Sequence, residues 1–362
     1  MKKIYFSVTN ELVYDQRMAR ICGSLSKAGF EVTLVGRKSK KSIPVTAQPY
    51  RQIRLNSWFL RGKLFYFEYN IRLLFFLAFQ KMDAICSIDL DTILPCLLVS
   101  KLKNIPRIYD AHELFCEMKE IVTRPFIHKF WKIIERASVP SFRLGYTVSQ
   151  PIADEFRKMH GVDYAVIRNV PYISKQDLPA KEEKYILYQG AVNEGRSFET
   201  LIPAMKQVES TLLICGDGNF MEKAQGLVEE NGLGNKVIFK GALPPLDLLS
   251  YTRQATIGVT LFENAGKSNY YSLANRFFDY IHAVVPQVCV NYPAYRQINS
   301  QFKLALLIDD LSPGSIAAEL NKLLNNAVLY NELRTGCLLA REVYNWQEEE
   351  KKLILFYKKI FE

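Results

Sequence analysis

The sequence predicts an α/β protein that folds into two domains, each built on a parallel sheet. Short apolar segments alternate with helical patterns along the whole chain, which is typical of parallel strands joined by helices. The chain has 362 residues, of which 49% are hydrophobic, and this is enough for two cores of ordinary size. A polar, proline-bearing stretch separates two strand–helix series. We therefore expect a first domain over residues 1–170, a linker over 171–184, a second domain over 185–344 and a C-terminal helix over 345–362.

The predicted strands are short runs of aliphatic, β-branched and aromatic residues that end at polar residues or glycine. They cover residues 4–8, 32–35, 84–88, 107–109 and 144–148, and then 185–188, 211–214, 237–239, 256–259, 288–290 and 305–308. The predicted helices lie between them and repeat apolar residues every three or four positions. They cover residues 15–28, 64–80, 92–102, 124–137 and 152–159, and then 198–208, 219–231, 246–253, 275–283, 314–324 and a C-terminal run to about residue 360.

The seven cysteines contain no Cys-x-x-Cys pair, and most of them lie in apolar runs. This pattern indicates reduced thiols in the core and a cytoplasmic protein, and it argues against a disulfide framework or a zinc site. The N-terminal apolar run is too short for a signal peptide. No uninterrupted apolar stretch reaches the roughly 18 residues of a membrane-spanning helix.

The positive charge of the chain belongs to its first half. Residues 1–170 contain 27 Lys and Arg against 15 Asp and Glu, whereas residues 171–362 contain 20 against 22. The segment 58–81 combines aromatic residues with Arg61, Lys63 and Arg72, and a helix of this kind can lie on an anionic membrane surface. The alternative is a core helix with a few cations that reach the solvent. The sequence contains no nucleic-acid-binding motif, so we expect no nucleic acid partner.

Polar residues follow several predicted strands of the first half, and open parallel sheets bind ligands at the carboxyl ends of their strands. Asn10, Asp15 and Arg17 follow the first strand, although Asp15 is also a good N-cap for the next helix. Asp89 and Asp91 follow the strand over residues 84–88. We expect these five residues at a ligand site, and the alternative for the two aspartates is to cap the helix near residue 92.

His112 and Glu113 follow the strand over residues 107–109, in the run Tyr-Asp-Ala-His-Glu. The chain has only four histidines. An imidazole at a strand exit is placed to donate hydrogen bonds to a ligand and to stabilise developing charge. We therefore predict His112 and Glu113 as catalytic residues, whereas the other three histidines have no such context.

A polar loop over residues 268–274 leads into a helix that carries one carboxylate, Asp279, and then into a short apolar strand. Backbone N–H groups at such a loop and helix N-terminus can bind phosphate. A carboxylate further along the helix can accept hydrogen bonds from sugar hydroxyls. An ordinary loop–helix–strand joint is the alternative.

This loop resembles the nucleotide-sugar loop of retaining glycosyltransferases of family four, which have the GT-B architecture of two Rossmann-like domains. The resemblance runs in order along nearly the whole chain. It implies two facing Rossmann-like domains, a last helix that returns to the first domain, and a histidine at His112 that contacts the transferred sugar. The residues that it assigns to the donor are Gly190, Asn193, Arg196, Gly216, Asp217, Leu243, Ser272, Leu273, Asn275 and Asp279. Arg196 is also assigned a catalytic role on the leaving diphosphate. The resemblance places the strand-exit residues of the first half on the acceptor side, namely Asn10, Asp15, Arg17, Asp89 and Asp91.

Two departures from the family pattern concern the donor. Tyr271 stands where the family often has a glutamate, and Ala191 stands where it usually has an arginine. Lys267, Asn275 and Arg276 are candidates to replace the missing contacts. The pair Asp89 and Asp91 forms an Asp-x-Asp pattern, which holds a divalent ion in glycosyltransferases with a single Rossmann-like domain. Because it lies in the half opposite the donor loop, we expect no metal and no cofactor.

The resemblance implies a metal-independent glycosyltransferase that moves a sugar from a nucleotide-diphosphate-sugar to a glycan or lipid-linked acceptor in cell-surface polysaccharide biosynthesis. A sugar-nucleotide 2-epimerase on the same fold and a catalytically silent sugar-nucleotide-binding subunit are the alternatives. We expect a cytoplasmic protein, with peripheral association at the inner face of the membrane left open.

Overall fold

A computed structural model describes residues 1–39, 42–59, 62–174, 184–264 and 266–362, with Tyr14 described for its main chain only. The chain divides into two compact units. Unit 1 comprises Met1–Asn169 and Glu349–Glu362, and unit 2 comprises Val170–Glu348. The last helix therefore begins in unit 2 and ends in unit 1.

Unit 1 is built on a seven-stranded parallel sheet with the strand order β3-β2-β1-β4-β5-β6-β7. Its strands are β1 Lys3–Ser7, β2 Glu31–Lys38, β3 Arg51–Asn56, β4 Ala84–Ile88, β5 Arg107–Ala111, β6 Leu144–Thr147 and β7 Ala165–Val166. Its helices are α1 Gln16–Lys27, α2 Gly62–Ala78, α3 Ile93–Lys103, α4 Lys119–Val122, α5 Pro125–Ser138 and α6 Gln150–His160.

The middle of this sheet is covered on both faces, which is why its strands are apolar throughout instead of alternating. Every residue of β4 is buried, and Ile4 of β1 lies in register between Val32 and Ala84. The C-terminal helix adds to the same core. Its Tyr357 is fully buried, and its ring lies 5.9 Å from that of Phe6.

Unit 2 is built on a six-stranded parallel sheet with the strand order β10-β9-β8-β11-β12-β13. Its strands are β8 Tyr185–Gln189, β9 Thr211–Cys215, β10 Val237–Gly241, β11 Ile257–Thr260, β12 Gln287–Val290 and β13 Ala305–Ile308. Its helices are α7 Phe198–Ala204, α8 Met221–Glu230, α9 Pro245–Gln254, α10 Lys267–Tyr271, α11 Asn275–His282, α12 Pro293–Phe302, α13 Pro313–Asn325, α14 Ala327–Val343 and the start of α15 Trp346–Phe361.

The prediction of two parallel α/β units is confirmed, but five of the observed elements have no counterpart in it. β3 is an edge strand with no fully buried residue, and β7 has only two residues, so neither carries a strong apolar pattern. The helix α4 has only four residues, and polar residues dominate α10 and α12, so none of the three has a clear helical apolar pattern. The C-terminal run is two helices, because Tyr344 and Asn345 interrupt it between α14 and α15.

Because each sheet is parallel, the loops that follow its strands lie at one edge. In unit 1 this edge carries the segments after β1, β4 and β5, and in unit 2 it carries those after β8, β9, β11 and the loop before α11. Nearly all the polar residues predicted for a site lie in these segments. In the described part of the chain, no helix is long and apolar enough to cross a bilayer.

Candidate active site

His112 lies between two carboxylates in unit 1. Its Nδ1 is 3.3 Å from Asp89 Oδ2, and its Nε2 is 3.3 Å from Asp110 Oδ2. The second contact lacks hydrogen-bond geometry, so it is an ionic contact and not an aligned hydrogen bond. The main-chain N–H of His112 donates to Asp89 Oδ1 at 2.9 Å. The imidazole is therefore held in place by residues of its own unit.

The charges in this cluster shift one another's pKa. Burial opposes protonation of His112, but Asp89 and Asp110 outweigh it and raise the pKa of the imidazole to about 9. Burial would raise the pKa of Asp110, but Arg17 and His112 outweigh it, and the pKa of Asp110 is lowered. His112 is therefore an imidazolium cation near neutral pH.

Arg17 was predicted on the acceptor side, but the structure buries it inside unit 1. Its Nη2 donates to Asp110 Oδ1 at 2.8 Å, and its Nη1 donates to the carbonyl of Ile167 at 3.2 Å. Because the Arg17 side chain is only 4% exposed, its first role is to neutralise Asp110. Asp110 itself escaped the sequence prediction, although a carboxylate inside an apolar strand is a signal that could have revealed it.

Asp89 and Asp91 stand at the exit of β4. Asp89 has φ 52°, a backbone conformation that is costly for a residue other than glycine and that concentrates at functional sites. Asp91 Oδ2 accepts a hydrogen bond from Thr9 Oγ1 at 2.5 Å. Burial, together with the neighbouring Asp89 charge, raises the pKa of Asp91 to about 7. The Asp89 side chain makes no capping hydrogen bond to the turn Leu90–Thr92 that follows it.

The remaining residues predicted in unit 1 lie nearby in the chain. Asp15 caps α1 by accepting a hydrogen bond from the Met18 N–H at 3.0 Å, which confirms the capping interpretation. Asn10 is exposed and donates to Asp15 Oδ2 at 3.3 Å, and Glu113 is half-buried. Among the described residues, no group of three or more His, Cys, Asp or Glu side chains is arranged to hold a metal ion.

Asp279 of α11 is tied to the end of β8 in unit 2. Its Oδ2 accepts a hydrogen bond from Gln189 Nε2 at 2.8 Å. Gln189 Oε1 in turn accepts one from Thr252 Oγ1 of α9 at 2.6 Å. Gln189 and Thr252 are almost fully buried, whereas Asp279 is half-buried. This chain of hydrogen bonds fixes the orientation of a carboxylate that solvent still reaches.

Two guanidinium groups flank the ring of Phe262, just after β11. Arg196 lies 4.7 Å from the ring centroid, and Arg276 lies 4.6 Å from it. Arg276 also lies 4.4 Å from the Tyr188 centroid, and its Nη1 donates to the carbonyl of Gln189 at 2.9 Å. Its buried Nε and Nη2 make no hydrogen bond to the described residues. The site therefore contains a buried guanidinium group, that of Arg276, with N–H donors at Nε and Nη2 that can bind a ligand.

Glycines let the segments after β8 and β9 meet. A Cβ on Gly216 would lie 1.8 Å from the carbonyl oxygen of Gly190, and one on Gly218 would lie 2.3 Å from Asn193 Oδ1. The Val192 N–H donates to the Asp217 carbonyl at 3.0 Å, which joins the two segments directly. Gly190, Asn193, Gly216 and Asp217 therefore lie close together.

The loop between α10 and α11 is compact. Ser272 Oγ donates to the Asn269 carbonyl at 2.8 Å, and the Ala274 N–H donates to Tyr295 Oη at 3.0 Å. Leu273 is buried, and Asn275 is exposed at the first turn of α11. Leu243 lies between β10 and α9 in the chain. It packs against a core cluster that includes Tyr185 and Tyr280.

Comparisons with known proteins decide the family. Residues 16–171 match the family model of glycosyltransferase family 4, and residues 171–336 match that of the group 1 glycosyl transferases. The chain belongs to these glycosyltransferases. A search of curated protein sequences finds no match.

Solved glycosyltransferase structures share the fold along the whole chain. Sucrose-phosphate synthase from Thermosynechococcus elongatus superposes with a TM-score of 0.85 at 17% identity, over 100% of this chain and 99% of that one. HepE from Anabaena, in complex with UDP and glucose, gives 0.76 at 12% identity, over 99% and 100%. WaaG, a glycosyltransferase involved in lipopolysaccharide biosynthesis, gives 0.75 at 14% identity, over 97% and 98%. At these identities the likeness establishes the GT-B fold.

In this glycosyltransferase, Arg276 lies close to the main chain beside Ala191, the position of the second departure. Ala191 replaces an expected arginine, and a Cβ on the preceding Gly190 would lie 3.0 Å from Arg276 Nη1. The guanidinium thus lies beside the main chain that leads to Ala191. The sequence names Arg276 only as one of three substitutes, because its aromatic neighbours Tyr188 and Phe262 are distant from it in the chain.

The three residues predicted to contact a membrane have different surroundings in this glycosyltransferase. Lys63 is exposed at the start of α2. Arg72 donates to Glu68 Oε1 at 2.7 Å and lies 4.4 Å from the ring centroid of Trp58, so its charge is already paired. Arg61 lies outside the described residues.

Proposed function

We propose that this glycosyltransferase moves a sugar from a nucleotide-diphosphate-sugar to a glycan or lipid-linked acceptor, with retention, in the assembly of a cell-surface polysaccharide. The observation that carries the proposal is the set of groups in unit 2 that suits such a donor: an oriented carboxylate at Asp279 and two guanidinium groups at Arg196 and Arg276. The UDP and glucose bound to HepE support the same donor class.

Each group has a distinct role in this proposal. Asp279 accepts hydrogen bonds from hydroxyls of the ribose or the sugar, while Gln189 keeps the carboxylate in one orientation. Arg196 and the unsatisfied donors of Arg276 neutralise the diphosphate, whose charge increases as the bond from sugar to phosphate breaks. The close approach of Gly190 and Gly216 keeps side chains out of the space where the main chain meets the donor.

His112 contributes a fixed positive charge in this proposal and not proton transfer. Both ring nitrogens face carboxylates of unit 1, and the pKa of about 9 keeps the ring protonated at neutral pH. A general base would need a free nitrogen and a pKa near the working pH. Glu113, the next residue, is half-buried, and we propose that it acts in catalysis beside His112.

The proposal is tested first by thermal unfolding with UDP-, GDP- and ADP-sugars. A true donor at about a hundred times its dissociation constant should stabilise the fold by about 2.7 kcal/mol. The second measurement is release of free nucleotide diphosphate, which should require an acceptor. NMR of the product should then show the anomeric configuration of the donor.

Each outcome has a distinct meaning. If none of the three classes of sugar nucleotide stabilises the protein, the proposed donor site is wrong. Donor binding without acceptor-dependent release, across a panel of lipid-linked and soluble glycans, would instead favour a silent binding subunit. Conversion of the donor in the absence of any acceptor would favour an epimerase.

A further inference from the structure

The helices α2, α3 and α5 lie side by side on one face of the sheet of unit 1. They occupy the connections β3 to β4, β4 to β5 and β5 to β6, which all run in the same direction across the sheet. Such connections are right-handed, so their helices share a face. A ring contact between Tyr66 of α2 and Trp131 of α5, with centroids 5.5 Å apart, agrees with this placement.

The outward side of each of these helices is apolar, which is the reverse of an ordinary surface helix. On α2 and directly after it, and on α3 and α5, the exposed large apolar residues repeat every three or four positions. We call this surface the apolar face, and its exposed members are Leu64, Phe67, Ile71, Phe75, Phe79, Leu94, Leu98, Leu102, Phe126, Phe130 and Ile133.

The exposed aromatic residues of the protein are concentrated in one part of the chain, which includes the apolar face. Among the described residues, every exposed phenylalanine and tryptophan lies between residues 58 and 133. Phe79 and Phe126 are 83% and 88% exposed. A contiguous apolar surface of this kind on a folded protein marks an interaction site, because leaving it in water is costly.

The charges on these helices indicate the partner. The carboxylates of α2, α3 and α5 are Glu68, which is paired with Arg72, and Glu135, which is buried and paired with Lys132. Around the apolar face the exposed charges of the same helices and their ends are cationic. They are Lys63, Lys101, Arg124, Lys129 and Arg136. A wide aromatic and aliphatic surface bordered by cations is complementary to an anionic bilayer, whose headgroups attract the cations while the acyl boundary accepts the rings.

We propose that the apolar face of α2, α3 and α5 binds the surface of an anionic membrane. The proposal extends the single-helix prediction from the sequence in two ways. It adds the outward residues of α3 and α5, and it transfers the electrostatic role from Arg72, which is paired, to cations such as Lys101 and Lys129. If the proposed function also holds, the attached unit 1 would meet lipid-linked acceptors at the membrane.

The test is flotation of the full chain with vesicles of phosphatidylcholine and phosphatidylglycerol in equal parts, without any sugar donor. The wild type should float with these vesicles at low salt, bind less as salt rises, and stay unbound with phosphatidylcholine alone. The double variant Phe67→Ser, Phe75→Ser should lower the partition coefficient by about tenfold or more. The matched control is Leu246→Ser, Val328→Ser, which removes two exposed apolar residues of unit 2 and should bind like the wild type.

A charge-matched pair of variants tests the cations. Lys63→Glu, Lys101→Glu, Lys129→Glu should weaken binding by about fivefold or more for each cation. Lys206→Glu, Arg334→Glu, Lys358→Glu changes the net charge equally at exposed sites elsewhere and should have a much smaller effect. Circular dichroism of each variant shows that it is folded.

Three results would overturn the proposal. The first is a folded wild type that ignores anionic vesicles at low salt. The second is vesicle binding that the serine variants leave unchanged. The third is a dimer in size-exclusion chromatography that Phe75→Ser dissociates while no vesicle binding occurs, since the apolar face would then pair two copies of the chain. Because no donor is present, failure here leaves the proposed function standing, and donor binding by thermal shift is scored separately.

Discussion

Arg17 and Asp110 form an ion pair 2.8 Å long in the interior of unit 1, where their side chains are 4% and 0% exposed. The pair connects the start of α1 with the end of β5, two elements that the chain separates by more than ninety residues. It also sets the charge that faces His112. The cluster at this edge of the sheet is therefore assembled around a buried carboxylate.

Removal of one partner should be costly. We expect Arg17→Met to lower the free energy of unfolding by about 3–5 kcal/mol, because it leaves the buried charge of Asp110 with only His112 to balance it. Urea unfolding measures the change. Arg157→Met removes an exposed arginine that is paired with Asp163 on the same unit, and it should change stability far less. Equal, small effects of the two substitutions would show that the buried pair does not stabilise the fold.

His112 should make stability depend on pH between its unfolded and folded pKa. The pKa rises from the ordinary value of 6.5 to about 9, so the folded state holds more protons than the unfolded state in that interval. The stabilisation is complete below pH 6.5 and is lost as the pH rises through about 9. Unfolding free energies measured across this range should fall with pH in the wild type and in His128→Gln. They should be flatter in His112→Gln, and an unchanged slope in that variant would contradict the assignment.

Two glycine-to-alanine substitutions should change the stability of the fold in opposite directions. Gly216→Ala should destabilise the fold by about 1–3 kcal/mol or more, because its Cβ would lie 1.8 Å from the Gly190 carbonyl oxygen, which is main chain and cannot move aside easily. Gly226→Ala lies inside α8 with no atom within 4 Å of the new Cβ, so it should stabilise by about 0.5–1 kcal/mol. Thermal unfolding of the two variants measures both. Tolerance of alanine at Gly216 would mean that the two segments need not meet.

Chelation of divalent cations should leave turnover nearly unchanged. The negative charge of Asp89 is balanced by the His112 imidazolium. The raised pKa of Asp91 leaves its carboxyl partly protonated near neutral pH. The Asp-x-Asp pattern is therefore poorly suited to a divalent cation. We expect EDTA to leave the rate of nucleotide diphosphate release nearly unchanged. Loss of activity that manganese restores would refute metal independence.

The sequence predicted the parallel sheets because their strands are short, apolar and regularly spaced, and this pattern is local. β3 was not predicted because Arg51, Gln52 and Arg54 interrupt the apolar pattern, and such polar residues are tolerated on an edge strand. The same limit applies to the site. The loops were found from their own residues, but the partners were not. Gln189 and Asp279 are ninety positions apart, and nothing in either local pattern predicts that they bond.

Asp279→Asn is the sharpest test of the donor site. The substitution keeps an oxygen that can accept from Gln189 Nε2, so the hydrogen bond of 2.8 Å and the fold should persist. It removes the negative charge and one acceptor for the hydroxyls of the donor, which should weaken donor binding by about 1–3 kcal/mol. Asp247→Asn in α9, an exposed carboxylate of the same unit, serves as the control and should bind donor normally. Calorimetric titration with the sugar nucleotide that passes the thermal-shift panel measures both variants. A folded Asp279→Asn protein with unchanged affinity would exclude this carboxylate from the site and leave Arg196 and Arg276 as its remaining support in unit 2.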